Sequence, residues 1–387
     1  MPLRFKPQIR QAETATKFAA RQKGMVIIME IAFHSAQTLK PKYRLEEEAG
    51  MGFCKRFTDY MFLAEYDKGI GWHDARIIPY GPLSVDPASP VFHYGQEIFE
   101  GLKAYRRVDG QIALFRPEQN AQRMNRSAER IRMAEIPVDL QLAAMNALVD
   151  VERDWVPHSD DTSLYLRPTL IADGNKLGVH AADRYLYYII CSPCGSYYPS
   201  GLAPVRMRIE RDDVRAVRGG VGFAKTGGNY AASMRAGEAA IEAGFNQALW
   251  LDGVERKYVE EAGAMNVMFV INGVVTTPAL SGSILPGVTR DSVLTLARDM
   301  GMKAEERRIS VDELIEAADS GALTESFCTG TAACVTPISE YGYGDRLITL
   351  NRGETGPVAR AMYQALSDIQ RGRASDPHGW ITIVKGK

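Results

Sequence analysis

A single lysine, Lys225, stands between glycine pairs in the run Gly219-Gly220-Val221-Gly222-Phe223-Ala224-Lys225-Thr226-Gly227-Gly228-Asn229-Tyr230, and a helical pattern follows at once. Glycines let backbone approach a ligand closely and adopt positive φ, so this lysine sits on a short, tightly packed connection. A lysine in such a place can give up its proton and act as a nucleophilic amine. Solvated loop lysines and phosphate-binding lysines share the pattern. The GxxxxGK[ST] phosphate loop is excluded, because Ala224 stands where its second glycine belongs.

Three further stretches suit a cofactor that carries a phosphate and accepts electrons. Pro286-Gly287-Val288-Thr289-Arg290 opens a helix, so the amides of Val288 and Thr289 and the Thr289 hydroxyl form an anion site. Gly330-Thr331-Ala332-Ala333 offers a second small-residue turn with a hydroxyl and amides. Glu260-Glu261-Ala262-Gly263-Ala264-Met265-Asn266 sets carboxylates beside small residues at a strand end, where one could pair with a protonated ring nitrogen. Singly these are a helix start, a turn and solvated acids; jointly with Lys225 they point to cofactor chemistry.

The elements that must position these groups can be read from periodicity and turn residues. Asn229 to Ala243 carries a helical pattern that stops at Gly244, and Asn246 to Asp252 reads as a strand. Asn272-Gly273 marks a hairpin, Thr289 to Met300 a helix, and Ser310 to Glu313 a capping box. Upstream, residues 51–115 alternate apolar runs with turn signals, including a hairpin at Asp109-Gly110. Helices follow Pro117 and run from Leu140 to Val156, then strands at 162–171 and 185–191. The Gly-, Ser-, Pro- and Tyr-rich segment Gly195 to Pro204 reads as a linker.

A chain of 387 residues implies two domains. With 46 basic and 47 acidic residues it has no field to draw nucleic acid or an acidic membrane, and it has no apolar run of membrane-spanning length. Five cysteines, an odd number, suit free thiols in a reducing compartment, hence a cytoplasmic protein. Cys191-Ser192-Pro193-Cys194 lacks the second pair a zinc site needs, so no metal is assigned. Residues 1–24 hold six Arg or Lys and one acid, a faint likeness to an organellar transit peptide; a loose extension with Met25 as the true start is the plainer reading.

Taken in order, Phe57-Thr58-Asp59-Tyr60-Met61, the segment Phe92 to Tyr105, Leu164-Tyr165-Leu166-Arg167-Pro168, Gly219 to Tyr230, Glu261 to Asn266, Leu285 to Arg290 and Gly330 to Ala333 resemble the motifs of the branched-chain amino-acid aminotransferases, pyridoxal-phosphate enzymes of fold type IV. The resemblance runs from about Phe53 to the C-terminus. It implies an α+β / α/β fold of two domains, a smaller N-terminal α+β domain and a larger C-terminal domain with a β-barrel-like core. The bounds would be 1–50 for an extension and lead-in, 51–194 for the small domain, 195–205 for the linker and 206–387 for the large domain that binds pyridoxal 5′-phosphate. The reaction would be transamination of leucine, isoleucine or valine with 2-oxoglutarate, giving branched-chain 2-oxo acids and L-glutamate.

Residue by residue, the resemblance makes Lys225 the Schiff-base lysine and proton shuttle. Glu261 would pair with the ring nitrogen, and Tyr230 would bond the cofactor phenolate. Arg123, Val288, Thr289 and Thr331 would hold the phosphate. Phe57, Tyr94, Phe99, Tyr165, Tyr197 and Ala332 would line the side-chain pocket, with Arg167 receiving the distal carboxylate of glutamate. Leu177 and Val179 would reach into the neighbouring subunit's site in a homodimer. Ala264 stands where several relatives carry threonine, and Ala333 and Thr336 stand where some carry a redox CxxC. A D-amino-acid aminotransferase, an aminodeoxychorismate lyase and a silent cofactor-binding protein are the competing readings. The aromatic segment Phe92 to Tyr105 and Leu164 to Arg167 argue for the branched-chain pocket.

Overall fold

The computed structural model describes residues 14–22, 25–197 and 202–386. Residues 1–13 and 23–24 of the expected extension, and 198–201 of the expected linker, lie outside that set. The chain forms two compact units: residues 1–106, 111–195 and 382–387 make the first, and 107–110 with 196–381 the second. The sequence did not foretell that Thr382–Lys387 belongs with the first unit or Arg107–Gly110 with the second.

The first unit is built on a ten-stranded sheet. Its centre is Tyr60–Asp67, Arg184–Cys194 and Ser163–Asp173, paired antiparallel, with Leu102–Arg106 and Ile112–Phe115 beyond. Alternation decides which face each side chain takes. Phe62, Ala64, Leu164, Leu166, Tyr187 and Ile189 pack on one face, beneath the helices Pro117–Arg130 and Val138–Val151, which supply Met124, Ala128, Leu140, Ala144, Leu148 and Val149. Leu63, Ile171 and Leu186 pack on the other. Residues read as a loose extension instead add strands: Thr14–Gln22 pairs antiparallel with Met25–Phe33, which runs parallel to Gly71–Pro79.

In the second unit six strands close on themselves. Val259–Ala262, Gln247–Leu251, Val205–Ile209, Cys334–Tyr343, Leu323–Gly330 and Met265–Ile271 are neighbours in that order, and the last pairs back to the first. Closure leaves these six strands no edge between them. Met207, Ile209, Leu249, Leu251, Val267, Phe269, Cys328 and Ile338 share one core cluster, whereas Ala248 and Trp250, on the alternate face of Gln247–Leu251, pack with Ala236 of the helix Met234–Glu242. The hairpin at Asn272 and Gly273 has positive φ at both residues, 50° and 75°, the turn that suits strand twist. Ser310 caps the helix Val311–Asp319 by accepting from the Glu313 amide, but the Glu313 carboxylate pairs with Arg307 and does not complete a capping box. Among the described residues no helix is long and apolar enough to cross a membrane.

Candidate active site

Lys225 lies on the connection between the barrel strands Val205–Ile209 and Gln247–Leu251, held by backbone packing. A Cβ added at Gly222 would stand 2.2 Å from the Ser283 carbonyl oxygen and 2.7 Å from Ala216 Cβ, so only glycine fits there. Buried Asn229 donates from Nδ2 to the carbonyl oxygens of Val221 and Ala224, at 2.8 Å each, and ties the loop to the helix Gly227–Ala231. The helical pattern through Ala243 is broken in two: Met234–Glu242 begins after Ala232 and Ser233. Ser233 Oγ donates to the Tyr230 carbonyl at 2.7 Å, a side-chain bond that competes with the helical ladder. The short first helix brings the Tyr230 hydroxyl to 2.8 Å from Lys225 Nζ, which donates to it.

Glu261 and Glu260 are adjacent in Val259–Ala262, so they point to opposite faces. Ser281 and Ser283 hydroxyls both donate to Glu260 Oε1, the former at 3.2 Å. Glu261 is 2% exposed, and burial pushes its carboxyl up to about 7 against the opposing Arg215 charge; Glu260 adds to the rise, while Lys225 opposes it. Asn266, directly across the ladder, donates from Nδ2 to Glu261 Oε1 at 3.1 Å. Arg215 Nη1 lies 2.6 Å from Oε2 as a buried ion pair, and a hydrogen bond from the Leu285 backbone also favours the anion. Each carboxylate oxygen can accept more than one bond, so the N–H of a protonated aromatic ring also fits beside this buried anion.

The helix Val288–Asp299 starts after Gly287 with no side chain capping it, so the amides of Val288 and Thr289 have no acceptor within the helix. Gly287 is required: a Cβ there would fall 2.0 Å from Asn266 Oδ1. Asn266 also donates to the Leu285 carbonyl at 2.9 Å, just upstream of that helix. Asn266 faces Thr329 across the next ladder, so Glu261 and the turn carrying Thr331 and Ala332, between Leu323–Gly330 and Cys334–Tyr343, belong to one end of the barrel. Tyr197 belongs to this unit as well.

The remaining expected site residues lie in the first unit. Alternation in Ser163–Asp173 sets Tyr165 and Arg167 on one face: Arg167 Nη2 donates to Tyr165 Oη at 3.0 Å, and the guanidinium lies 4.7 Å from the Phe99 ring centre and 5.3 Å from that of Tyr165. Phe57 stacks on Tyr80 at 5.1 Å. The Tyr94 hydroxyl accepts from the Gly178 amide at 2.8 Å, holding a loop on which Leu177 and Val179 are exposed. Arg123 is buried in a two-pronged ion pair: Nε donates to Glu100 Oε1 at 2.7 Å and Nη2 to Oε2 at 2.8 Å, with Asn120 Nδ2 adding a bond to Oε2. Four residues that the structure sets against these side chains, Arg215, Asn229, Asn266 and Glu100, were not given roles from the sequence. Arg215 has no local signal, whereas Asn229 and Asn266 close the lysine and glutamate motifs.

The model of the class IV amino-transferase family matches residues 97–341. Branched-chain-amino-acid transaminase 1 of Bacillus subtilis (strain 168) is 52% identical over 339 residues, covering 87% of this chain and 95% of that protein. Among solved structures, the Escherichia coli branched-chain amino acid aminotransferase has a TM-score of 0.71 at 27% identity, covering 84% of this chain and 99% of that one. A T.th. branched-chain amino acid aminotransferase, complexed with N-(5′-phosphopyridoxyl)-L-glutamate, has a TM-score of 0.68 at 28% identity, covering 84% and 98%. The closed barrel with its lysine loop is thus that of a class IV aminotransferase. The chain belongs to the branched-chain amino-acid aminotransferases within that class.

Proposed function

We propose that this chain transfers the amino group of leucine, isoleucine or valine to 2-oxoglutarate, giving branched-chain 2-oxo acids and L-glutamate. Pyridoxal 5′-phosphate is its cofactor, and when bound it supplies the electron sink for breaking bonds at the substrate Cα. Lys225 attaches the cofactor through Nζ and, when released, carries the proton to and from Cα. Tyr230, bonded to Nζ, holds the phenolate oxygen, and Glu261 meets the ring nitrogen. The amides of Val288 and Thr289, the hydroxyls of Thr289 and Thr331, and Arg123 hold the phosphate.

Phe57, Tyr94, Phe99, Tyr165, Tyr197 and Ala332 receive the aliphatic side chain. Arg167 receives the distal carboxylate of glutamate, and the phosphopyridoxyl-glutamate adduct in the T.th. enzyme supports glutamate as a substrate. Leu177 and Val179, exposed on their loop, complete the neighbouring site of a homodimer. None of the five cysteines is joined in a disulfide, which supports a cytoplasmic setting. One observation carries the reading: the Lys225 to Tyr230 bond in the same unit as the buried Glu261 carboxylate.

The test adds L-leucine alone to the cofactor-loaded protein. The visible absorption of the cofactor should change, with about one equivalent of 2-oxo acid released per site, since each half-reaction is stoichiometric in cofactor. A spectrum unmoved by leucine but changed by D-alanine would overturn the substrate assignment. A spectrum moved by neither would overturn transamination.

A further inference from the structure

The cofactor's ring nitrogen serves the chemistry only while protonated, and that requires Glu261 to face it as an anion. Burial works against this, because desolvation favours the neutral acid. Arg215 is itself buried at 8% exposure and anchored by donating from Nη1 to the Ser283 carbonyl at 3.2 Å, with the same atom 2.6 Å from Glu261 Oε2. The Asn266 amide fixes the other oxygen and bonds the Leu285 carbonyl. Both anchors therefore end on the 283–285 segment, which leads directly into Gly287 and the helix proposed to hold the phosphate.

We propose that Arg215 is a positioning residue that holds Glu261 as an anion aimed at the cofactor ring nitrogen, an inference that rests on the pyridoxal-phosphate reading of the site. The proton between carboxyl and ring nitrogen is shared by a coupled pair. Arg215 meets the carboxylate side of that pair and favours the arrangement with the proton on nitrogen. Glu260 and Lys225 also act on Glu261, and Lys225 supplies the only other positive charge among the named influences on it. The arginine is not expected to touch substrate.

The experiment uses the full-length enzyme loaded with pyridoxal phosphate labelled with ¹⁵N in the ring, whose shift reads the protonation of that nitrogen directly. In the wild type the nitrogen should stay protonated through neutral pH. In Arg215→Met the pH at which it loses its proton should fall by about one to three units, the usual effect of an opposite charge within a few ångströms. Once that pH lies below the assay pH, the leucine half-reaction should slow by roughly tenfold for each further unit, with leucine affinity unchanged. Arg215→Lys keeps a charge and should recover most of the wild-type titration, which a merely structural role would not require. Glu261→Gln is the control. If Glu261→Gln strips the proton while Arg215→Met and Arg215→Lys both keep the wild-type titration, this proposal fails and the cofactor reading stands. If Glu261→Gln also leaves the nitrogen protonated, the cofactor reading of Glu261 fails with it.

Discussion

Replacing Arg167 by glutamine should separate the two substrates proposed for this site. Leucine and glutamate differ by a full negative charge, and a carboxylate buried among Phe99 and Tyr165 would be costly without a cation. The Arg167 guanidinium is fixed for that task by its bond to Tyr165 Oη at 3.0 Å and by two aromatic faces at 4.7 and 5.3 Å. Tyr165 is held in turn by packing against Phe53 at 5.2 Å and against Gly101, where a Cβ would lie 2.0 Å from Oη. Truncating one partner of a buried charge pair costs about 2–5 kcal/mol, which is roughly thirty- to several-thousand-fold in apparent second-order rate constant. Leucine loses only the packing of the cation on the rings, about 0.5–1 kcal/mol, or a factor of about two to five. Arg167→Lys should fall between, since an ammonium keeps the charge but not the planar stacking and fork. Stopped-flow measurement of the leucine and 2-oxoglutarate half-reactions is the assay. Equal losses in both, or in neither, would remove Arg167 from substrate recognition.

The buried Arg123 and Glu100 pair predicts a loss of about 3–5 kcal/mol of stability in Arg123→Ala, because a 1% exposed carboxylate is left unpaired. Adding Glu100→Gln should return much of that stability in denaturant titrations without returning cofactor affinity in equilibrium dialysis; recovery of both would show that Arg123 serves only the pair. Gly222→Ala must displace the Ser283 backbone, and overpacking of that kind costs about 1–3 kcal/mol, read as lower Tm and reduced cofactor occupancy. Full occupancy with unchanged Tm would show that the lysine loop is looser than its contacts indicate. Burial pushes the Glu152 carboxyl from 4.5 up to about 7, although it accepts from the Tyr60 amide at 2.6 Å. A proton held more tightly in the folded state makes stability greatest below pH 4.5; this contribution is lost as pH rises towards 7, and the full effect is about 3 kcal/mol. Glu152→Gln should therefore flatten the Tm against pH curve between those limits, and an unchanged slope would refute the assignment.

Much of the local geometry around the candidate site could be read in advance because its requirements are local. Glycine at 222 answers a backbone contact of 2.2 Å and glycine at 287 a contact of 2.0 Å with the Asn266 side chain, and these leave a mark in the sequence as motifs. The helix start at Val288 and the hairpin at Asn272 and Gly273 follow from capping and turn chemistry within a few residues. Residue type alone left the choice between Glu260 and Glu261 open, and it was the resemblance that pointed to Glu261. Only the barrel shows that Glu260 accepts from Ser281 and Ser283, while Glu261 meets Asn266 and the Arg215 charge. Arg215 lies 46 residues before Glu261, and Arg123 lies 23 after Glu100, so neither pair has a spacing that periodicity can detect. The chain alone determined the residue types, the local turns and the order of motifs, because those depend on neighbouring backbone geometry. Which charges are buried together, and hence which carboxyl is pushed towards neutral pH, was decided only by closing the sheet, because desolvation and ion pairing depend on what distant segments bring to the same few ångströms.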